Sequence, residues 1–545
     1  MLLLGGALLL RVILALRPGL WGDEIFSLAM ATGHSLEHPA ASADPTRGDF
    51  VQAARPEPAS AYRRYVAHTN PPAGPGAVTR AVFISDTSPP LYYLVLNGWT
   101  RLFGTSDAAL RLFSLMWAVL AAPFIWLIAR HLGDENTAHV ATVLYAWSPV
   151  SVFYSTEGRM YSLVWFLVAA LAWQSLRLAR RGPTAMGLLA WVAIASAGLY
   201  THYFFLFVWL AIGAWLLLWS DTLPRISVGL ALAASVAAAA PWYVKVPGAL
   251  AQWRVTGDWL AGSLHGTEIA TRPFELAWSL LAGGSQWGGS PRIDAVMAFG
   301  YLGLGLWILR RKQFGELLRR DRMLVWGWVA AAILGVYIFD LVRGSSASRV
   351  PRYVLAGLPA AMILVAIATA TLAPRIRAAF VAFVLVAWTA GLWPIITRTR
   401  PAASYRAIAA DLERWAGPDD LIIAHSIPSG VIALGRYLTR DLPLAAWVEP
   451  LGLRRVPDDV EQLVAGHRRV ALVQVHNLSR PSPALPWLRQ HARLTGHRIF
   501  DPVADSLTAD PGSLAARQRA IFQQGGLFEI FYFDAPDDGP FPIRR

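Results

Sequence analysis

Carboxylates and arginines stand near the ends of apolar segments at several places in this chain of 545 residues. The adjacent acids Asp23 and Glu24 follow the first apolar run, and Arg349 and Arg352 stand beside Tyr353 just before a later one. Ionisable groups at membrane depth are costly, so those that are retained near it are candidates for function. The acids suit catalysis, and the two arginines suit the binding of an anion.

Three further polar groups lie in similar positions, and each also has a structural interpretation. Asp86 precedes Ser-Pro-Pro and is also a typical turn starter. Glu157 and Arg159 are two residues apart, so they can pair with each other, or the arginine can anchor at the interface. His202 and Tyr203 fit an aromatic belt at a membrane rim as well as a binding site.

The first pair and the arginines have structural alternatives too. Asp23 and Glu24 open an apolar helical stretch, and acids are common in a first helical turn because the helix dipole favours them. Arg349 and Arg352 can be ordinary loop charges. External loops are normally poor in arginine, which favours anion binding for these two.

The composition indicates a membrane protein. Hydrophobic residues make up 55% of the chain and charged residues 15%, against about 25% in soluble domains. Mean hydropathy is +0.41. The net charge of +13 resides in arginines that cluster at the ends of apolar runs, which indicates membrane topology and excludes a nucleic-acid partner. The chain has no cysteine, so disulfides and thiolate metal sites are excluded.

Eleven segments approach the roughly 20 apolar residues that a membrane-spanning helix needs. The first is short and contains Arg11; no small-residue cleavage site follows it, so a span is favoured over a signal peptide. The predicted fold is therefore an all-α polytopic membrane protein. The segments are residues 2–16, 108–128, 137–153, 161–178, 186–200, 204–219, 226–244, 295–309, 323–341, 354–372 and 378–396.

Positive charge predicts the orientation of these spans. The basic loops at 177–181, 310–322 and 375–377 fall on one side, which the positive-inside rule assigns to the cytoplasm. The N-terminus is then cytoplasmic, and everything after residue 396 is external. All the polar groups above fall on the external side, although they were not used to set the orientation. This coincidence predicts one external active site.

The chain divides into a membrane domain, residues 1–397, and an external α/β domain, residues 398–545. The first external loop, 18–106, is predicted to have an irregular middle at 34–86, rich in Pro, Ala and Gly. Apolar helices that lie on the membrane surface are predicted at 24–32 and 91–103. For the external domain, alternating patterns predict helices at 405–415 and 431–437 and strands at 421–424, 469–475 and 527–533.

Several short motifs around these residues resemble the GT-C membrane glycosyltransferases. The similarity is to the family 39 type, which includes protein O-mannosyltransferases and lipid A aminoarabinose transferases. The motifs appear in the family's order and cover roughly residues 1–372. They are Trp-Gly-Asp-Glu-Ile-Phe-Ser at 21–27, Asp-Thr-Ser-Pro-Pro-Leu-Tyr-Tyr at 86–93, Ala-Leu-Arg-Leu-Phe-Ser at 109–114, Tyr-Ser-Thr-Glu-Gly-Arg-Met-Tyr at 154–161, Tyr-Thr-His-Tyr at 200–203 and Pro-Arg-Tyr at 351–353.

The resemblance implies a polyprenyl-phosphate-linked sugar donor, and a lipid, glycan or protein acceptor, at a bacterial inner membrane. It implies that Asp23 is the general base, and a single displacement with a general base predicts inversion at the anomeric carbon. Glu24 is predicted to belong to the catalytic site, where it would position the acceptor or hold a divalent cation. Asp23 and Asp86 would bind any divalent cation, Mg²⁺ or Mn²⁺, although nothing in the sequence requires one. The spacing from Asp23 to Asp86 implies an inserted segment, which leaves the role of Asp86 open. The predicted substrate-binding residues are Asp86, Glu157, Arg159, Tyr161, His202, Tyr203, Arg349, Arg352 and Tyr353.

Two other classes of protein fit part of the pattern. A secondary transporter or flippase would also be basic and polytopic, but transporters tend to place ionisable groups near the midplane and to show internal repeats. Here the acids follow the ends of spans, and no repeat stands out. A scaffold that binds a partner through the external domain is the third possibility.

Overall fold

A computed structural model shows a helical membrane domain with a mixed β-sheet in its C-terminal region. The structure describes residues 2–38, 43–85, 88–250, 260, 262–283, 290–311, 313–397, 405–448, 454–475, 482–501, 506–508, 528–536 and 539–542. The helices of the first 397 residues are α1 (Leu2–Ala15), α2 (Gly22–Ala31), α3 (Pro75–Ser85), α4 (Leu91–Phe103), α5 (Asp107–Leu132), α6 (Glu135–Trp147), α7 (Pro149–Ser155), α8 (Tyr161–Arg181), α9 (Ala185–Leu199), α10 (Phe205–Trp219), α11 (Arg225–Tyr243), α12 (Val246–Leu250), α13 (Thr267–Leu281), α14 (Pro291–Arg310), α15 (Phe314–Leu317), α16 (Met323–Arg343), α17 (Leu358–Thr369) and α18 (Pro374–Thr397).

Helix forms in all eleven predicted apolar segments, which confirms the predicted fold class. Within the described ranges, seven helices are long and apolar enough to cross a membrane: α5, α8, Arg225–Gly248, α14, α16, Pro351–Thr369 and α18. The apolar helices α1, α9 and α10 are shorter, with 14 or 15 residues each. The remaining predicted segment, residues 137–153, is divided between α6 and α7.

A proline and a buried arginine explain the break between α6 and α7. Pro149 begins α7, and the residue before a proline is disfavoured in helical conformation. The side chain of Arg11 on α1 donates to the carbonyl of Ala146, at 2.6 Å, near the end of α6. It also donates to the hydroxyls of Ser151 and Ser155 on α7, at 3.0 Å each. Arg11, the charged residue within the first apolar segment, therefore links α1 to α6 and to α7 through hydrogen bonds.

The first loop contains more regular structure than its composition predicts. The helices α2 and α4 confirm the predicted helical ends of the loop. The prediction of an irregular middle is wrong, because α3 and a 3₁₀ helix, Ala59–Val66, lie within it. The residues Val78, Ala81 and Val82 of α3 are buried, and α3 contacts both α2 and α4. Burial of this apolar face favours helix despite the surrounding proline and glycine. The stretch between the predicted apolar segments 226–244 and 295–309 likewise contains a helix, α13.

The C-terminal region folds as the predicted α/β unit around a seven-stranded sheet. The strand order is β1-β3-β2-β4-β7-β5-β6, in which β3, β2 and β4 are parallel. Strand β1 comes from the long loop between α1 and α5 and pairs antiparallel with β3, so the two predicted domains share one sheet. The strands are β1 (Glu57–Pro58), β2 (Leu421–His425), β3 (Pro443–Trp447), β4 (Arg469–Gln474), β5 (Arg493–Asp501), β6 (Ser506–Thr508) and β7 (Phe528–Asp534), and the helices are α19 (Tyr405–Trp415), α20 (Pro428–Tyr437), α21 (Asp458–Val464) and α22 (Ala484–His491).

Helix α20 joins the C-terminal domain to the membrane domain. It contacts α2 and packs closely on the 3₁₀ helix Ala59–Val66. Gly435 permits this approach, since a Cβ there would lie 2.7 Å from the Cβ of Tyr62 and 2.9 Å from the carbonyl oxygen of Ala59. The C-terminal domain is therefore packed against the helix that carries the first acidic pair.

Candidate active site

Asp23 lies where three distant parts of the chain meet. It lies in the first turn of α2. Trp21, which has an extended backbone conformation, is the N-cap residue of this helix. Its Oδ2 lies 3.0 Å from Nη1 of Arg352 and 4.0 Å from Nε of Arg159. A quarter of the Asp23 side chain is exposed. The structure therefore brings together the predicted acid and two of the three predicted anion-binding arginines.

Both arginines occupy short connections at the ends of membrane-spanning helices. Arg159 lies in the turn between α7 and α8, and its Nη1 contacts the carbonyl of Asp23 at 3.4 Å and the hydroxyl of Ser27 at 3.3 Å. Arg352 lies in a 3₁₀ helix, Pro351–Gly357, that leads into α17. Two guanidinium groups carry more N–H donors than one carboxylate accepts. The cluster therefore places two positive charges beside a single carboxylate.

Asp340 shapes the connection that leads to Arg352. Its carboxylate, near the end of α16, accepts the backbone N–H groups of Ala347 at 2.8 Å and Ser348 at 2.7 Å, and the hydroxyl of Ser345 at 2.6 Å. The sequence analysis missed this residue. An acid in the last turn of an apolar span is a usable signal, because the helix dipole disfavours it and a local partner must compensate.

Aromatic rings surround the Asp23–Arg352 pair. The guanidinium carbon of Arg352 lies 5.7 Å from the ring centroids of both Trp21 and Tyr353, within the range of cation–π contacts. The His202 ring lies 6.2 Å from that of Tyr353 and 6.1 Å from that of Tyr161. Three predicted substrate-binding residues, Tyr161, His202 and Tyr353, thus form one wall beside the arginine.

His202 is a neutral member of this wall. Burial lowers the pKa of His202 to about 3, and the charges of Arg159 and Arg352 act in the same direction. Its Nδ1 accepts the backbone N–H of Phe204 at 3.2 Å, so the ring proton resides on Nε2. At physiological pH His202 therefore offers a neutral N–H donor and adds no positive charge.

Glu24 faces the protein interior instead of the cluster. Its carboxylate accepts two bonds from the Arg111 guanidinium, at 2.8 and 2.7 Å, and the backbone N–H of Gly158 at 2.9 Å. It also accepts the N–H of Trp21 at 3.2 Å, which satisfies the backbone donor of the N-cap residue of α2. Both members of the ion pair are almost completely buried. These contacts favour a structural role for Glu24 over the predicted catalytic one.

Replacement of Glu24 by alanine is expected to destabilise the protein by about 3–5 kcal/mol, because it leaves the Arg111 charge buried without its partner. The yield of monodisperse protein in detergent and its thermal unfolding temperature would both fall. A well-folded Glu24→Ala protein that lacks transfer activity would contradict this interpretation and restore a catalytic role to Glu24.

Comparisons with known proteins agree with this architecture. Residues 87–244 match the family described as dolichyl-phosphate-mannose-protein mannosyltransferase. The crystal structure of ArnT from Cupriavidus metallidurans in the apo state is similar over 98% of this chain and 97% of that one, with a TM-score of 0.54 and 13% identity. The form bound to undecaprenyl phosphate is similar over 91% and 95%, with a TM-score of 0.53 and 14% identity. No curated protein sequence matches the chain.

The chain shares its fold with ArnT over nearly its whole length, and residues 87–244 are similar to the mannosyltransferase family. The matched segment includes Arg159, Tyr161 and His202, whereas Asp23 and Arg352 lie outside it. The places of Asp23 and Arg352 in the site are shown by their mutual contact in the structure.

The remaining predicted substrate-binding residues have different surroundings in the structure. Glu157 is buried beside the cluster, and its carbonyl accepts the N–H of Arg159 at 2.7 Å. The hydroxyl of Tyr203 contacts Nε1 of Trp242 at 3.4 Å. Arg349 forms a two-point ion pair with Glu268 of α13, at 2.8 and 3.2 Å. The pair occupies Arg349, so the contacts favour a structural role over the predicted anion binding.

The predicted cation site consists of Asp23 and Asp86. Asp86 lies outside the described residues. Among the residues that the structure does describe, no group of three or more His, Asp or Glu side chains is arranged to hold a metal ion. Binding of Mg²⁺ or Mn²⁺ by Asp23 and Asp86 therefore remains a prediction from the sequence.

The C-terminal domain supplies a residue near Asp23 that sequence reasoning missed. Tyr405, at the start of α19, is fully buried. Burial, and then the negative charge of Asp23, raise the pKa of the Tyr405 hydroxyl above its ordinary value. A Cβ on Gly430 of α20 would lie 3.3 Å from the Tyr405 hydroxyl, which places that hydroxyl over the first turn of α20. No sequence motif links residue 405 to residue 23.

Proposed function

We propose that this protein transfers a sugar from a polyprenyl-phosphate carrier to an acceptor hydroxyl at the outer face of a bacterial inner membrane. The contact of the Asp23 carboxylate with the guanidinium groups of Arg352 and Arg159 carries the proposal. The cluster lies at the ends of apolar helices that are long enough to span a membrane, as the binding of a lipid-linked phosphate would require. The fold is shared with ArnT, whose crystal structure was determined with undecaprenyl phosphate bound. The outer-face assignment rests on the basic loops of the opposite side.

Asp23 is the proposed general base. The acceptor hydroxyl must lose a proton as its oxygen attacks the anomeric carbon, and a carboxylate within hydrogen-bond reach accepts that proton. The partial exposure of Asp23 permits such an approach. A single displacement of this kind breaks the bond from the anomeric carbon to the phosphate oxygen and inverts the configuration.

Arg352 and Arg159 are the proposed phosphate-binding residues. Negative charge grows on the leaving phosphate, and fixed guanidinium groups in a partly dry site stabilise that charge effectively. The donor phosphate competes with Asp23 for Arg352. Donor binding therefore draws Arg352 away from the carboxylate and leaves Asp23 available for the acceptor proton.

The test uses purified protein in lipid nanodiscs, supplied with a panel of radiolabelled polyprenyl-phosphate sugars and with lipid, glycan and protein fractions of a bacterial envelope. We expect label to move to one fraction from a lipid-linked donor, and none to move from the matching nucleotide sugar. Resolution of the product anomers would report inversion. Proton-coupled uptake into vesicles without any transfer would contradict the proposal and favour a transporter.

A further inference from the structure

The segment that carries Asp23 into position has no regular structure of its own. Residues 16–21 connect α1 to α2 outside any helix or strand. Their conformation therefore depends on contacts from other parts of the chain. Two side chains of the first helical turns of α5, Asp107 and Arg111, hold this connection from one side.

Arg111 and Asp107 bind opposite types of backbone group. Arg111 donates to the carbonyls of Arg17 at 2.7 Å and Gly19 at 2.5 Å, besides its bonds to Glu24. Asp107 accepts the backbone N–H of Gly19 at 2.7 Å. Side chains of α5 therefore bind both backbone N–H and backbone carbonyl groups of the connection.

The C-terminal domain completes this network. The hydroxyl of Tyr437, at the end of α20, donates to Asp107 at 2.8 Å and accepts the backbone N–H of Leu20 at 2.6 Å. Arg436 binds the other oxygen of Asp107 at 2.8 Å and the carbonyl of Thr105, also at 2.8 Å. The Asp107–Arg436 ion pair is mostly buried, with 13% and 17% of the side chains exposed. The C-terminal domain thus contacts the backbone at Leu20, three residues before Asp23.

From these contacts we infer that the C-terminal domain is part of the catalytic unit and that Tyr437 is a positioning residue for Asp23. The hydroxyl of Tyr437 fixes the backbone at Leu20, and α2 begins two residues later. Removal of the hydroxyl frees this end of the connection while α20 stays packed on α2. The kinetic consequence of this inference rests on the proposed function. The conformational order of residues 16–21 does not, because it is measurable without any activity.

The kinetic test compares two tyrosines of the same domain. Tyr437→Phe is expected to lower kcat by roughly 10–100-fold with a donor KM within about threefold of wild type, because misplacement of a catalytic group by about 1 Å costs rate at that scale. Tyr532→Phe is the matched control: its hydroxyl also donates to a carboxylate, Asp411, at 2.6 Å, but within the sheet domain. Asp107→Asn combined with Tyr437→Phe should cost less than the product of the two single effects, because both remove one contact.

A second readout does not require transfer. The chain has no cysteine, so Pro18→Cys introduces a single site for a nitroxide label in the exposed part of the connection. We expect Tyr437→Phe to increase the mobility of that label and Tyr532→Phe to leave it unchanged. Equal label mobility in the two variants would overturn the inference whether or not transfer is detected. A wild-type protein that never transfers sugar, but shows the mobility difference, would overturn only the proposed function.

Discussion

Replacement of Asp23 by asparagine is expected to reduce sugar transfer by about 10²–10⁴-fold, the usual contribution of a positioned general base. Asparagine has nearly the same shape and still offers an oxygen to Arg352, but it does not accept the acceptor proton. Because a quarter of the side chain is exposed and Glu24 provides the buried ion pair of α2, we expect the folded state to be retained.

The measurement is kcat for transfer from a saturating lipid-linked donor, together with the thermal unfolding temperature. Asp44→Asn is a suitable control, since this acid lies in the same external loop and its carboxylate bonds locally to Thr46. We expect the control to transfer at close to the wild-type rate. Transfer by Asp23→Asn within about threefold of wild type would remove this carboxylate from the mechanism.

Hydropathy was sufficient to locate the membrane-spanning elements. Each apolar residue contributes to partition into lipid almost independently of its neighbours in space, so the sum over a segment is readable from sequence. For this reason every one of the eleven segments contains helix. The one internal irregularity, at Pro149, was not predicted, although proline is a local signal for it.

The different contacts of Asp23 and Glu24 could not be predicted from the sequence. Consecutive residues on a helix point about 100° apart, so one side chain faces Arg352 and the next faces the interior. Which of the two faces inward depends on Arg111, which lies 87 positions from Glu24 along the chain. A pairwise contact at that separation leaves no periodic pattern in the sequence.

The contribution of the first loop to the C-terminal sheet was missed for a similar reason. Strand β1 has two residues, Glu57 and Pro58, and pairs with Leu444 and Pro443. A strand this short has no alternation to read, and its existence depends on the edge that β3 offers. The boundary predicted at residue 397 therefore divides the chain into two stretches of different composition. It does not divide the chain into two independent structural units, because both stretches contribute strands to one sheet.

Replacement of Arg352 by alanine should lower kcat/KM for the lipid-linked donor by about 10²–10³-fold, the cost of removing one fixed donor to developing negative charge. Arg352→Lys should recover part of the loss, because it restores the charge without the planar fork. Arg349→Ala is the matched control. It removes an arginine only three positions away, but one that is paired with Glu268, so we expect a change in kcat/KM of less than about threefold.

The comparison of these two arginines separates local charge from specific geometry. Both lie on the same short connection after α16, and both carry one positive charge. Only Arg352 touches the carboxylate at the centre of the cluster. If general attraction of an anionic donor to this surface controlled the rate, the two alanine variants would lose activity equally, and added salt would weaken the wild-type enzyme to a similar extent. A large loss confined to Arg352, and little affected by salt, would instead indicate direct contact with the donor phosphate in a partly dry site.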